Sequence, residues 1–281
     1  MSKLITVFGA TGQQGGSVIR TIQQDASLSQ EFKIRGITRE CIQAGGSSSR
    51  ETGRRGQDCK FPHYALHRSK SDAYTLFLKA NMNSKESLVQ ALQGSHSVFL
   101  VTTPDWGNAG SDAELVHGKN VADAAKEAGV QHLIFSSLLN VTETSGGWLK
   151  HVPHFDHKAK VEEYIRSIGV PATFVLPGYF MTNYTVFGML RKGDDGVYNL
   201  AYPVGKDAQL PLIDIASDMG KYVAAALKNR SEVLGLQLLA AADYYSPTRI
   251  LAEFESVTGK ETRLVQVNSD TYKSFIPGPM G

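Results

Sequence analysis

Residues 4–15 read Leu4-Ile-Thr-Val-Phe-Gly-Ala-Thr-Gly-Gln-Gln-Gly15, and they decide the fold. Five strand-forming residues run straight into a G-x-x-G-x-x-G that opens a helix. In this junction Gly9 supplies a tight turn, Gly12 lets backbone approach a pyrophosphate, and Gly15 lets the helix lie close to the sheet while its first amides face an anion. A bare glycine triplet is weak evidence. Here the strand before it and the helix after it give the triplet its meaning.

Outward from this junction, short apolar runs alternate with stretches of helical period, the pattern of repeated βα units around a parallel sheet. Strands are expected at 4–8, 32–38, 74–80, 97–102, 131–136 and 172–176, and helices at 15–24, 84–92, 111–128 and 155–168. Six such strands complete a Rossmann sheet, so the expected fold is α/β, doubly wound, with a nucleotide-binding domain over 1–176. After Pro177 the rhythm breaks at Gly188, Gly193, Gly196, Pro203 and Gly205. A small C-terminal α/β lobe is expected over 177–205 and 231–281, with 206–230 returning to the main domain through a helix at 214–228. Segments 236–240, 246–258 and 262–267 read as β, α and β pieces of that lobe.

One segment breaks the pattern. Residues 40–73 are rich in Gly, Ser and Arg where a βαβ unit would place an amphipathic helix, and they read as a mobile surface insertion. Residues 39–79 carry eight Lys or Arg against four Asp or Glu, a local excess of four positive charges. The whole chain is close to balance at +2, which argues against direct nucleic-acid binding; that reading would rest on Arg50, Arg54, Arg55 and Arg68 without aromatic stacking platforms. Two cysteines in 281 residues suit a reducing compartment, and no run of about eighteen apolar residues suggests a membrane span. Cytoplasm, nucleus or both is the expected location.

The end of the second strand reads the adenosine ribose, with an acid for NAD or an arginine for NADP. Thr38-Arg39 stands there, and a guanidinium fork suits a 2′-phosphate, so NADP(H) is favoured. Arg39 as an ordinary solvated residue is the plainer alternative, and Glu40 beside it leaves NAD(H) open. Thr102 and Thr103 close the fourth expected strand at the carboxyl edge, where open α/β sheets bind ligands, and Asn81 ends the third strand in position to face adenine.

Short-chain reductases use a tyrosine acid with a lysine four residues later, plus a serine after the fifth strand. Ser136 and Ser137 follow the fifth expected strand, and His154-Phe-Asp-His-Lys158 keeps the spacing with histidine in the tyrosine place. Lys158 can hold a nicotinamide ribose. His154 reads equally as a proton donor or as a polar cap or cofactor contact. His154 and His157 lack further ligands at metal-binding spacing, so no metal is expected.

With these residues in hand, the chain resembles the NmrA-like family, atypical short-chain-dehydrogenase relatives that include fungal nitrogen-repression regulators and vertebrate NADPH sensors. Val7-Phe-Gly-Ala-Thr-Gly-Gln-Gln-Gly-Gly-Ser-Val18 at the first turn, Ala80-Asn-Met-Asn83, Val98-Phe-Leu-Val-Thr102, His154-Phe-Asp-His-Lys158 running into Val161-Glu-Glu-Tyr164, Ile168-Gly-Val-Pro-Ala-Thr173, and Leu176-Pro-Gly-Tyr-Phe180 with Asn183 carry the likeness. The resemblance implies a Rossmann domain with a small lobe and NADP preferred over NAD. It implies that Gly9, Thr11, Gly12, Gln14 and Gly15 cradle pyrophosphate, and that Thr38 and Arg39 meet the 2′-phosphate. Thr102, His154, Phe155, Lys158, Pro177 and Tyr179 would line the nicotinamide side. By the same resemblance the protein is a redox-state sensor acting through a transcription factor or an enzyme, with oligomers compatible. The alternative is an NADPH-dependent reductase of quinones or related carbonyl compounds, assisted by Lys158 or His154. The chain departs from the family pattern at the basic Gly/Ser segment.

Overall fold

The structure, a computed structural model, describes residues 2–38, 64–68, 74–108, 111–186 and 188–275. Arg39, Arg50, Arg54 and Arg55 lie outside the described residues, and so does most of the 40–73 segment. The first half runs β1 (Lys3–Phe8), α1 (Gln13–Gln24), α2 (Leu28–Glu31), β2 (Phe32–Thr38), β3 (Tyr64–Arg68), β4 (Tyr74–Lys79), α3 (Lys85–Leu92), β5 (Ser97–Leu100), α4 (Ala113–Glu127), β6 (His132–Ser136), α5 (Val141–Thr144), α6 (Pro153–Ser167) and β7 (Ala172–Pro177). There follow β8 (Tyr179–Phe180), α7 (Thr182–Thr185), β9 (Leu190–Lys192), β10 (Tyr198–Tyr202), β11 (Leu210–Ile213), α8 (Ile215–Lys228), α9 (Arg230–Val233), β12 (Gln237–Ala240), β13 (Asp243–Tyr245), α10 (Pro247–Thr258), β14 (Thr262–Gln266) and α11 (Ser269–Phe275).

The main sheet has the order β12-β7-β6-β5-β1-β2-β4-β3. Seven strands are parallel, and β3 pairs antiparallel with β4 at the edge. Strand side chains alternate between two helical layers, as a period of two requires. Val98, Leu100, Leu133, Phe135 and Phe174 pack with α3, α4 and α6, whereas Phe99, Ile134 and Val175 pack with α1 and α8. Both faces are apolar, which is how a buried parallel sheet must read. The helices come close. A Cβ at Gly118 of α4 would stand 2.4 Å from Val161 of α6, and one at Gly220 of α8 would stand 2.4 Å from the Ser17 carbonyl oxygen of α1.

Two expectations need correction. Residues 236–240 were expected in the lobe, but β12 joins the main sheet beside β7. There it covers the open edge of β7, and Ala240 and Leu238 complete the α1/α8 layer. Four residues after a long excursion carry too little periodicity to reveal that return. Residues 64–68, expected within the mobile insertion, form β3. An antiparallel neighbour of β4 needs only a short connection, so a strand can hide inside a polar stretch.

The remaining strands form two small sheets, β14-β10-β9 and β13-β11-β8, around Tyr184, Leu200, Tyr202, Leu212, Ile250 and Leu251. Gly178 links β7 to β8, where a Cβ would stand 2.4 Å from the Pro211 carbonyl oxygen. The order of the main sheet reverses between β1 and β5. Chains leaving the carboxyl ends of these two strands diverge and open a crevice.

Candidate functional site

The crevice begins with the glycine turn. Gly9 has φ +62°, a left-handed conformation that favours glycine, and its carbonyl accepts the Gly12 N–H at 2.8 Å. A Cβ on Gly9 would stand 2.9 Å from the Val101 side chain, so the loops after β1 and β5 touch. Ala10 N–H donates to the Ile37 carbonyl at 3.3 Å and ties the same turn to β2. Gly15 has no room for a side chain, since a Cβ would meet the Gly9 carbonyl oxygen at 2.3 Å. The first helical turn is therefore pressed onto its own loop.

Gly12 is the N-cap of α1, with no side-chain cap, and no acid lies in the first turn. The amides there keep their partial positive charge for an outside anion. Thr11 and Gly12 are exposed at this end, whereas the buried Gln14 Oε1 has no hydrogen-bond partner among the described residues. These are the properties a pyrophosphate cradle needs, and the residues present fit one. Thr38 is buried at the end of β2. Asn81 is exposed, and its Oδ1 accepts the Asn83 N–H at 3.0 Å, which shapes the turn into α3.

The nicotinamide side expected from sequence is built differently. Thr102 lies just beyond β5, Glu114 in the first turn of α4, and Lys158 in the second turn of α6. Lys158 Nζ donates to the Thr102 carbonyl at 3.1 Å, to Thr102 Oγ1 at 3.0 Å, and to Glu114 Oε1 in a close ion pair. Thr102 Oγ1 in turn donates to Glu114 Oε1 at 2.7 Å. Burial pushes the Lys158 pKa below its ordinary value, and Glu114 opposes that shift. Glu114 went unnoticed in the sequence, where a single acid near a helix start looks like ordinary first-turn charge. The signal was indirect: a lysine destined for burial needs a carboxylate partner.

Around this ion pair the entrance is aromatic. His154 lies 5.3 Å from Trp106 and 4.9 Å, edge on, from Phe155, by ring centroids. Burial, then the nearby Lys158 charge, pushes the His154 pKa down and favours the neutral imidazole. His157 Nε2 faces Asp112 Oδ1 at 3.3 Å. Pro104, Trp106, Val152, Pro153 and His154 help line a cleft of about 610 Å³. Thr103 lies exposed beside it in sequence.

Two further expected residues are engaged by neighbouring side chains. Ser137, the serine after the fifth expected strand, donates to Glu162 Oε2 at 2.6 Å, and Glu162 Oε1 also accepts from Arg166 and Gln237. Tyr179 packs edge-on against Tyr184 at 5.7 Å, within the lobe, and burial raises its pKa. Pro177 ends β7, half-buried, two residues before it. Among the described residues no group of three His, Cys, Asp or Glu could hold a metal. Nor is any helix of the described residues long and apolar enough to cross a membrane.

A doubly wound sheet with a bare glycine-rich turn at its switch point defines the class of Rossmann dinucleotide-binding folds. The profile of the NmrA-like family matches residues 1–281, and the chain belongs to that family. It is 30% identical over 287 residues to the NmrA-like family domain-containing oxidoreductase lnaB of Aspergillus flavus, covering 97% of this chain and 78% of that protein. The crystal structure of NmrA, a negative transcriptional regulator, in complex with NAD superposes with a TM-score of 0.72 at 25% identity, covering 95% of this chain and 74% of that one. The same regulator in complex with NADP gives a TM-score of 0.72 at 24% identity, with the same coverage.

Proposed function

We propose that the protein binds NADP(H), with NAD(H) as a weaker alternative, across the β1/β5 switch point. The uncapped α1 N-terminus takes the pyrophosphate, and Thr38 with Arg39 takes the adenosine end. Asn81 borders the adenine. Thr102, Thr103, Phe155, Lys158, Pro177 and Tyr179 border the nicotinamide. The bound nicotinamide supplies a hydride donor or acceptor. NmrA has been crystallised with both dinucleotides, which supports this reading for a relative of the same fold.

The role we favour is a regulator that responds to the nicotinamide redox state and passes it to a protein partner, a transcription factor or an enzyme. One observation carries it: the groups that would move a proton are engaged with the protein itself. Lys158 has its three donors placed on Thr102 and Glu114, Ser137 is committed to Glu162, and histidine stands in the tyrosine place. A ligand shifts a balance of states only through differential affinity, so partner binding must differ between NADP and NADPH. Pull-downs with each form should recover different partner sets; identical sets would remove the regulator reading.

A reductase is the second reading, favoured by the aromatic cleft beside His154 and by the oxidoreductase name of the Aspergillus flavus relative. It predicts quinone-dependent loss of NADPH absorbance that Lys158→Ala abolishes. For either role, titration with NADP, NADPH, NAD and NADH, wild type against Arg39→Ala, tests the cofactor: the variant should lose its preference for the phosphorylated forms. Equal affinity for all four in wild type would contradict the assignment of Arg39.

A further inference from the structure

The dinucleotide reading makes Lys158 a cofactor contact, yet its ammonium is already fully occupied. An ammonium has three N–H donors, and the structure supplies three acceptors: the Thr102 carbonyl, Thr102 Oγ1 and Glu114 Oε1. Two of these come from the residue just past β5, at the carboxyl edge of the sheet where the crevice opens. The third is a carboxylate that is 1% exposed and whose other oxygen has no partner among the described residues. A carboxylate this deeply buried is costly unless a cation faces it, and a buried lysine is neutralised unless an anion faces it. The carboxylate therefore supports the charge of the ammonium.

From this geometry we propose that Glu114 is the positioning residue for Lys158: it holds the side chain as a charged, directed ammonium at the carboxyl edge of β5, where a ribose hydroxyl of the dinucleotide would share or replace one of the bonds to Thr102. This rests on the dinucleotide reading for the ligand, but not for the ion pair itself. Three elements meet here. The end of β5 brings only the neutral Thr102; α4 brings Glu114, with Asp112 turned to His157; α6 brings Lys158, His154 and His157. His154 interacts unfavourably with the lysine charge and His157 is held at Asp112, so among the described residues Glu114 is the anion in direct contact with the ammonium. Burial works against the charged lysine and Glu114 works for it. Removing the carboxylate charge leaves burial unopposed, so the ammonium gives up its proton at lower pH.

The test uses the full chain and two readouts. The first needs no cofactor: the Lys158 side-chain nitrogen is followed by NMR across pH, assigned through its loss in Lys158→Arg. Wild type should show an ammonium at pH 7, and Glu114→Gln should lose that signal at clearly lower pH than wild type, with Glu114→Asp restoring most of the difference. A neutral amine in wild type at pH 7, or the same midpoint in wild type and Glu114→Gln, overturns the proposal. If Glu114→Gln fails to fold, the wild-type signal and Glu114→Asp still decide it.

The second readout is NADP affinity between pH 6 and 9. Affinity in Glu114→Gln should fall about tenfold more than in wild type, the equivalent of one proton lost across about one pH unit. Wild type that binds NADP while both profiles run parallel overturns the role of Glu114 at the site. Wild type that does not bind NADP sinks the dinucleotide reading instead, and the lysine titration then judges the ion pair alone.

Discussion

The two ends of the crevice contrast sharply. At the glycine turn the N-cap of α1 has no side-chain cap and its first turn carries no acid, with shape set by Gly9 and Gly15 rather than by any functional group. At the other end Thr102, Glu114 and Lys158 are buried and bonded to one another. A phosphate can settle on the first without rearrangement, because helix N-terminal amides already face outward. A ribose hydroxyl reaching the second must share or replace a bond that the protein already makes. Affinity should therefore come mainly from the pyrophosphate end, and selectivity between cofactor states from the nicotinamide end.

The largest expected effect lies at the occupied end. Glu114→Leu alone leaves Lys158 buried without its carboxylate and should cost roughly 3–5 kcal/mol, while Glu114→Leu with Lys158→Met should recover most of it, because an apolar pair can replace a buried ion pair. Urea unfolding of both variants checks this, and equal losses would mean the two groups do not act as a pair. At the open end, Gly15→Val should cost roughly 3 kcal/mol, a fall in Tm of about 6–12 °C, because its side chain meets backbone that cannot give way. A variant of unchanged Tm would mean the turn relaxes.

Stability itself carries a pH dependence that must be separated from the site. His132 is buried at the start of β6, at the opposite end of the strand from the crevice. Burial first, then Arg230 and His96, lower its pKa from 6.5 to about 4. The unfolded chain binds this proton more readily, so stability is fully present above pH 6.5 and is lost as pH falls toward about 4, by roughly 3 kcal/mol. Chemical unfolding between pH 4 and 7 should show that slope, flattened in His132→Asn; an unchanged slope assigns it to other groups. The smallest effect belongs to Gly12→Ala. Its Cβ would stand 3.2 Å from the Gly9 carbonyl oxygen, a contact a small shift relieves, so the fold should hold while NADP affinity drops about tenfold by calorimetry. Unchanged affinity would show that the dinucleotide does not approach there.

The glycine turn was legible from the sequence because its information is local: spacing, a strand before it and a helix after it. So was the alternation that builds a sheet between two helical layers. The Glu114–Lys158 pair was not, since residues 44 positions apart meet only after α4 and α6 pack through Gly118 and Val161. Ser137 shows the same division: its place after the strand is local, but its bond to Glu162 depends on α6. β12 escaped because four residues carry little pattern and their partner, β7, lies some sixty residues earlier.

The central claim is that the α1 N-terminus receives the two linked phosphates. Backbone amide NMR of the wild type during titration with NADP tests it most directly. The amides of Gln13, Gln14 and Gly15 should shift first and furthest, with saturation matching the calorimetric Kd. Saturable binding that leaves these three amides unmoved would contradict it.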